Sequence, residues 1–260
     1  MRFQDQHFIV TGSTTGIGKA IAKALLAEGA SVLIHGLEPE LGQATRAELD
    51  PDGERSELLI CDLAEADAPE RIVNTALERF GSLHGLINNA AAVIFSTLAE
   101  TDPALFDKIL AVNTRAPLFL IKAALPHLER TNGSVVNIGS VNAYSGEPGL
   151  VPYAISKGAL MTMTRNLGDT LHRDHGVRVN QVNPGWVLTE NEKQRKQDQG
   201  MPDDWPAQQP KLFVPAGRLI APAEIAAAVL YFLSADAGPV SGSVLDVEQH
   251  PFIGRNPPKC

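Results

Sequence analysis

HFIVTGSTTGIGKAIAKALLAEGA, residues 7–30, runs a short apolar strand into a glycine-rich turn and on into an amphipathic helix. In that helix Ile17, Ile21, Ala24 and Leu25 share one face and Lys19 and Lys23 the other; Glu28 intrudes on the apolar side at the last turn, and Gly29 is a plausible stop. Outward from this unit the alternation repeats. Apolar runs rich in Val and Ile recur at SVLIH (31–35), ELLIC (57–61), LHGLIN (83–88), SVVNIG (134–139), VRVNQVN (177–183) and SVLDV (243–247), separated by segments of helical spacing. Runs apolar on both faces and joined by helices imply a parallel sheet covered on both sides, because parallel neighbours need a crossover connection. The expectation is α/β: a single-domain doubly wound parallel sheet over residues 1–250, with an excursion at 188–215 and a tail at 251–260.

At 260 residues, with 44% hydrophobic and 20% charged, the chain is long enough to bury a large core without disulfides or structural metal, and disordered or fibrous readings fail. Its net charge of −8, with no basic run longer than the broken KQRK at 193–196, leaves no footprint for nucleic acid. Cys61 and Cys260 form no CxxC and have no histidine pair nearby, so neither a metal site nor a disulfide framework is expected. The polar start MRFQDQH and the lack of an 18-residue apolar run point away from membranes and toward the cytoplasm. ENEKQRKQDQGMPDDWPAQQPK, residues 190–211, reads as a polar excursion, and PFIGRNPPKC as an extended tail lying on some surface, since Pro251, Pro257 and Pro258 prevent a helix.

Two constellations carry chemistry. In the glycine loop, Gly12 permits a tight turn, Gly16 lets backbone approach a pyrophosphate, and Gly18 lets helix pack on sheet, while free amides at the helix N-terminus face the anion; a mere packing turn is the alternative. Tyr153 and Lys157 lie one helical turn apart at the start of a helical segment (153–173), and Ser140 lies thirteen residues upstream at the end of SVVNIG, where open parallel sheets place their ligands. Singly, each of these side chains could be a cap or a surface pair.

TGSTTGIG, Asn88-Asn89-Ala90, Asn113, Ser140, the Tyr153/Lys157 pair and Pro184-Gly185 together resemble the short-chain dehydrogenases/reductases, in the family's order over residues 6–248. The resemblance implies a Rossmann-type fold and an NAD(P)-dependent oxidoreductase that moves hydride between nicotinamide and a secondary alcohol or ketone. Tyr153 would be the general acid/base, its phenol pulled toward working pH by the Lys157 ammonium and an oxidised nicotinamide. Lys157 would also bond the nicotinamide ribose, Ser140 would orient the substrate oxygen, and Asn113 would hold a water linking Lys157 to solvent. Cofactor contacts would come from Gly12, Ser13, Thr15, Gly16, Ile17, Gly18 and Leu37, and from Tyr153, Lys157 and Pro184. Asp62 would bond the adenine amino group, the Leu63 amide would reach the ring, Asn89 and Ala90 would line the adenine ribose, and Val187 and Thr189 would hold the carboxamide.

The departures are informative. Ala91 stands where the family has glycine and would be strained if the position needs positive φ. The end of the second strand, His35-Gly36-Leu37-Glu38, lacks both the aspartate of NAD enzymes at Gly36 and the arginine of NADP enzymes at Leu37 or Thr15; Glu38 would repel a 2′-phosphate, so the choice between NAD and NADP leans to NAD. Glu248-Gln249-His250 replaces the family's Asp-Gly-Gly turn. A pocket of Ile94, Phe95, Asn142, Glu147, Trp186 and the excursion around Trp205 suits a polyol or sugar, although loop solvation explains the same residues. The alternatives are a reductase of an apolar or acyl ketone and a nucleotide-binding scaffold or regulator without turnover. The resemblance also implies a homodimer or homotetramer, and the apolar helix PLFLIKAALPHL fits either such an interface or the core.

Overall fold

In the computed structural model, seven parallel strands form one sheet: β1 (His7–Val10), β2 (Ser31–Gly36), β3 (Ser56–Ile60), β4 (Gly85–Asn88), β5 (Ser134–Ile138), β6 (Arg178–Pro184) and β7 (Val244–Val247). Their spatial order is β3-β2-β1-β4-β5-β6-β7. Residues 1–249 are described; His250 and its expected reach into a pocket, the tail at 251–260 and Cys260 lie outside the described residues.

The strands are apolar on both faces because both faces are covered. In β1, Phe8 and Val10 point into one buried layer and Ile9 into the other; in β2, Val32 and Ile34 oppose Leu33; in β5, Val136 and Ile138 oppose Val135. This period of two is the pleat itself. The first layer is closed by α1 (Gly16–Ala27) through Ile21 and Leu25, and by α9 (Pro222–Leu233) through Ile225 and Val229. The second is closed by α3 (Ala68–Phe80) through Ile72, by α5 (Ala116–Leu128) through Leu120, and by α7 (Val151–His175) through Leu171. Each such fully buried side chain contributes about 1.5–3 kcal/mol by leaving water. α2 (Pro39–Leu49) covers β3, where a side chain at Gly42 would strike Ile60 and Leu58.

Glu28, the polar intruder at the end of α1, takes its carboxylate out to Arg2, 3.1 Å away, and Gly29 stops the helix at φ +92°. α4 (Pro103–Leu110) runs into α5 through one π turn, Ala111–Arg115. The combined stretch Pro103–Thr131 is long and apolar enough to cross a membrane by length and composition, although Asp107, Lys108 and Arg115 interrupt it; here its buried face lies against the core. The 190–211 excursion contains α8 (Glu190–Asp198) and a 3-10 turn at Trp205–Gln208, while α6 (Asn142–Ser145) is a single turn after β5.

The strand order reverses between β1 and β4, so the loops that follow them diverge and open a crevice at the carboxyl edge of the sheet. The glycine loop, the 89–95 loop and Ser140 all emerge there. This is the Rossmann arrangement.

Candidate active site

Gly12 and Gly16 have φ of +62° and +55°, a region closed to most side chains, and a Cβ at Gly18 would lie 2.2 Å from the Gly12 carbonyl oxygen. The loop is therefore built for close backbone approach. The Ser13 hydroxyl donates to Val10 O (2.7 Å) and so braces the loop from within. Asn89 does likewise: its amide donates to Thr11 O (2.8 Å) and Gly12 O (2.9 Å), so the side chain supports the loop. Its backbone N–H and that of Ala90 both donate to the Thr11 hydroxyl. Ala91 carries no strain, because Asp5 and Asn132 are the only non-glycine residues at positive φ among the described residues.

Gly16 N–H, at the N-terminus of α1, donates to a carboxylate oxygen of Glu190 at 3.2 Å. A side-chain anion thus already stands where the helix dipole and unpaired amides favour one, which fits the pyrophosphate of a dinucleotide. Thr189 packs against the same glycine, its Cγ2 3.3 Å from where a Gly16 Cβ would be, and its hydroxyl caps α8 by accepting from Glu192 N (3.1 Å). Val187 is buried and bridges to Ile220, and Pro184 O accepts from Val141 N at 3.2 Å. Asp62 is exposed and folds into a local turn, accepting from Ala64 N at 2.8 Å, whereas Leu63 is buried in the core. Thr15 and Ile17 are partly exposed around Gly16, and Leu37 is 63% exposed at the end of β2. A Cβ at Gly36 would meet the Thr14 side chain at 2.5 Å, so a larger residue there requires that side chain to shift.

On the other side of the crevice Lys157 is fully enclosed, donates to Ile138 O at 2.7 Å, and holds its ammonium 5.7 Å from the centre of the Tyr153 ring. Burial pulls its pKa down to about 8. Burial pushes the Tyr153 phenol up, and hydrogen bonding with Ser140 works against that rise. The rise keeps the phenol protonated at neutral pH. Ser140 is buried at the end of β5; its hydroxyl accepts from Asn142 N (3.1 Å) and its own N–H donates to Asn183 Oδ1 (3.1 Å). Asn113 lies in the π turn, an irregularity that frequently marks functional positions. Its amide accepts from Ala92 N (2.7 Å) and donates to Ala92 O and to the Ser156 hydroxyl (3.0 Å), which in turn donates to Tyr153 O. The Asn113 side chain thus ties the 89–95 loop to the first turn of α7.

Of the expected pocket, Asn142 gives its backbone N–H to the Ser140 hydroxyl and Glu147 is exposed. Trp186 donates from Nε1 to Glu192 (2.9 Å) and stacks on Trp205 at 5.5 Å. Trp205 is a correction: it is 1% exposed and forms a small core with Val214 and Leu219 instead of lining a pocket. Arg195, paired with Glu192, lies 4.7 Å over the Phe95 ring and closes α8 onto the 89–95 loop.

Three contributors had weaker sequence signals or none. Glu190 and His35 act through contacts distant in sequence. Asn183 belongs to a polar chain through the core, Asn88–Asn137–Thr164–Gln181–Asn183–Asp246, with links of 2.7–2.9 Å. Its visible trace was the polar residues in the otherwise buried strand VNQVN.

A family model described as enoyl-(acyl carrier protein) reductase matches residues 12–249. The chain is similar to 2-(S)-hydroxypropyl-CoM dehydrogenase 3 of Xanthobacter autotrophicus, 34% identical over 95% of this chain and 96% of that protein. It is also similar to meso-2,3-butanediol dehydrogenase of Serratia marcescens, 32% identical with 95% of each covered. Among solved structures, a short-chain glucose/ribitol dehydrogenase from Brucella melitensis superposes with a TM-score of 0.84 at 32% identity over 95% of this chain and 96% of that one. An NADPH-bound short-chain oxidoreductase from Pseudomonas aeruginosa PAO1 with an atypical catalytic center superposes at 0.87 and 26% identity over 96% and 100%. With this sheet, this crevice and these relatives, the chain belongs to the short-chain dehydrogenase/reductase family, oxidoreductases that act on CH–OH groups with NAD(P).

Proposed function

We propose that the chain oxidises a secondary alcohol of a polyol or sugar, or reduces the corresponding ketone, with Tyr153 as proton carrier and NAD as the preferred dinucleotide. The observation that carries this reading is the Lys157 ammonium 5.7 Å from the Tyr153 ring, beside Ser140 at the carboxyl end of β5. The dinucleotide, when bound, supplies the hydride acceptor or donor. Around it Gly12, Ser13, Thr15, Gly16, Ile17 and Gly18 would hold the pyrophosphate side, Leu37, Asp62, Leu63, Asn89 and Ala90 the adenosine side, and Pro184, Val187 and Thr189 the carboxamide side. The Ser140 hydroxyl fixes the substrate oxygen against the Tyr153 oxygen, which as phenolate would take the alcohol's proton in oxidation and as phenol would give one to the ketone in reduction. Lys157 keeps a positive charge near that phenol, and Asn113 holds the 89–95 loop against α7 so that the crevice keeps its width.

NAD is favoured because Leu37 carries no charge to pair with a 2′-phosphate and the neighbouring Glu38 would repel one. Asn142 and Glu147 offer polar groups to substrate hydroxyls and Trp186 an apolar face. The protein would work in the cytoplasm as a homodimer or homotetramer, with the exposed Leu118 and Phe119 of α5 in the interface. The test is cofactor fluorescence with NAD and NADP against polyols, sugars and ketones, for the native chain and Tyr153→Phe. Turnover with a polyol or sugar, lost in Tyr153→Phe while dinucleotide binding survives, supports the reading. Binding without turnover of any alcohol or ketone makes the protein a scaffold.

A further inference from the structure

His35 is 2% exposed on β2, and three hydrogen bonds lace it to the glycine loop: Gly12 N–H donates to its Nδ1 (3.1 Å), Ser13 N–H to its carbonyl oxygen (2.8 Å), and its own N–H to the Ser13 hydroxyl (3.0 Å). Its Nε2 lies 3.1 Å from Cys61 O, at the start of the loop that carries Asp62. A backbone N–H can only donate, so Nδ1 is the bare nitrogen, and Nε2 must carry the proton and donate to Cys61 O. The ring therefore joins the two loops that flank a dinucleotide, the glycine loop on its phosphate side and the Asp62 loop on its adenine side.

We propose that His35, held as the neutral Nε2–H tautomer, is the positioning residue of the dinucleotide site and fixes the spacing between the Gly12 and Asp62 loops. The inference rests on the dinucleotide reading above. A second proton on the ring would remove the only acceptor of Gly12 N–H and turn a donor against it. Burial opposes that proton and lowers the imidazole pKa to about 4; among the groups packed against the ring, the Asp62 carboxylate raises it, the Cys61 thiol is kept neutral by burial, and the Ser13 hydroxyl carries no charge. The Gly12 amide is thereby committed to the fold, whereas the Gly16 amide at the start of α1 donates only to the exchangeable Glu190 carboxylate.

The full chain, labelled with 15N at histidine, is titrated by NMR between pH 8 and 5 with and without NAD, and His35 is assigned by its loss in His35→Phe. The expected result is one Nε2–H imidazole that does not titrate in this range and whose shift moves when NAD is added. An imidazolium, an Nδ1–H tautomer, a midpoint near 6.5 or a shift indifferent to NAD overturns the proposal, the signal being assigned equally by its loss in His35→Asn. In His35→Phe and His35→Asn the dissociation constant for NAD should rise about tenfold in Phe and less in Asn, which keeps an acceptor, with kcat at saturating NAD within about twofold of native. Equal NAD affinity in a folded His35→Phe overturns the role of His35 alone. Failure of the native chain to bind NAD or NADP overturns the dinucleotide reading and this proposal with it.

Discussion

The Glu190 carboxylate lies 3.2 Å from the Gly16 amide, across 174 positions of sequence, and so joins the first residue of α8 to the first residue of α1. An arriving pyrophosphate competes for that amide and meets a like charge beside it. Glu190→Gln removes the charge and keeps the residue's size, so dinucleotide affinity should rise about three- to tenfold, with a weaker dependence on salt. Fluorescence titration of NAD at low and moderate ionic strength reads both. Unchanged affinity in the variant would mean that Glu190 swings away without cost.

Lys157 carries an opposite liability. Its pKa is about 8 in the fold against an ordinary 10.5, so the folded chain binds fewer protons than the unfolded one between those values and stability rises with pH across that window. Below pH 8 the desolvation penalty is fully present, about 3 kcal/mol. Lys157→Met should abolish turnover and yet raise the unfolding free energy at pH 7 by roughly 1–2 kcal/mol, after the lost bond to Ile138 O is offset. The gap to the native chain should close as pH approaches 10.5. Thermal unfolding at pH 7 and pH 10 checks this; a variant less stable at both values would show that the Ile138 bond outweighs desolvation.

Much of the fold was written in local pattern. Each strand begins and ends within about two residues of its apolar run, because a strand buried on both faces needs a continuous apolar segment and its crossover helix needs a periodic one. Tyr153 and Lys157 were legible because one helical turn fixes their neighbourhood. His35, Asn183 and Glu190 were not, because their partners lie 23, 43 and 174 residues away and only the assembled sheet edge brings them together. Trp205 was misassigned for the same reason: a side chain's partners follow from packing, and the loops at the mouth of the sheet pack against one another. Gln249, in place of a family glycine, takes a structural part, accepting from Ala216 N and donating to Arg218 O.

Asn183 offers a test of the polar chain beneath Ser140. Its Oδ1 accepts from Ser140 N–H and from Gln181 Nε2, and its Nδ2 donates to Asp246, which also accepts from the Tyr144 hydroxyl. Asn183→Leu keeps the branching and heavy-atom count of the side chain and strands two buried donors, the Ser140 N–H and the Gln181 amide, so it should cost about 3 kcal/mol of stability. Because one of those partners is the Ser140 amide, kcat should fall more than the dinucleotide affinity. Denaturant unfolding with steady-state kinetics separates the two effects. A variant that loses stability while keeping kcat would confine the chain to holding β5, β6 and β7 together.

Trp205 anchors the 190–211 excursion. α8 is polar, so the segment is fastened by the Trp186–Trp205 stack with Val214 and Leu219, by Lys196 5.6 and 5.7 Å over the two rings, and by Arg195 over Phe95. This cluster is separate from both layers of the main core, so its loss acts locally. Trp205→Ala removes a fully buried ring, a change worth about 3–5 kcal/mol where the surroundings cannot collapse. Here that cost exceeds what can keep a polar helix docked, and the segment releases while the sheet stays folded. Limited proteolysis should then cut within 190–211, with the thermal midpoint within about 3 °C of native, KM for the alcohol raised and NAD affinity little changed. A midpoint lowered by 10 °C or more with no new cleavage site would instead make the Trp186–Trp205 cluster part of the cooperative core.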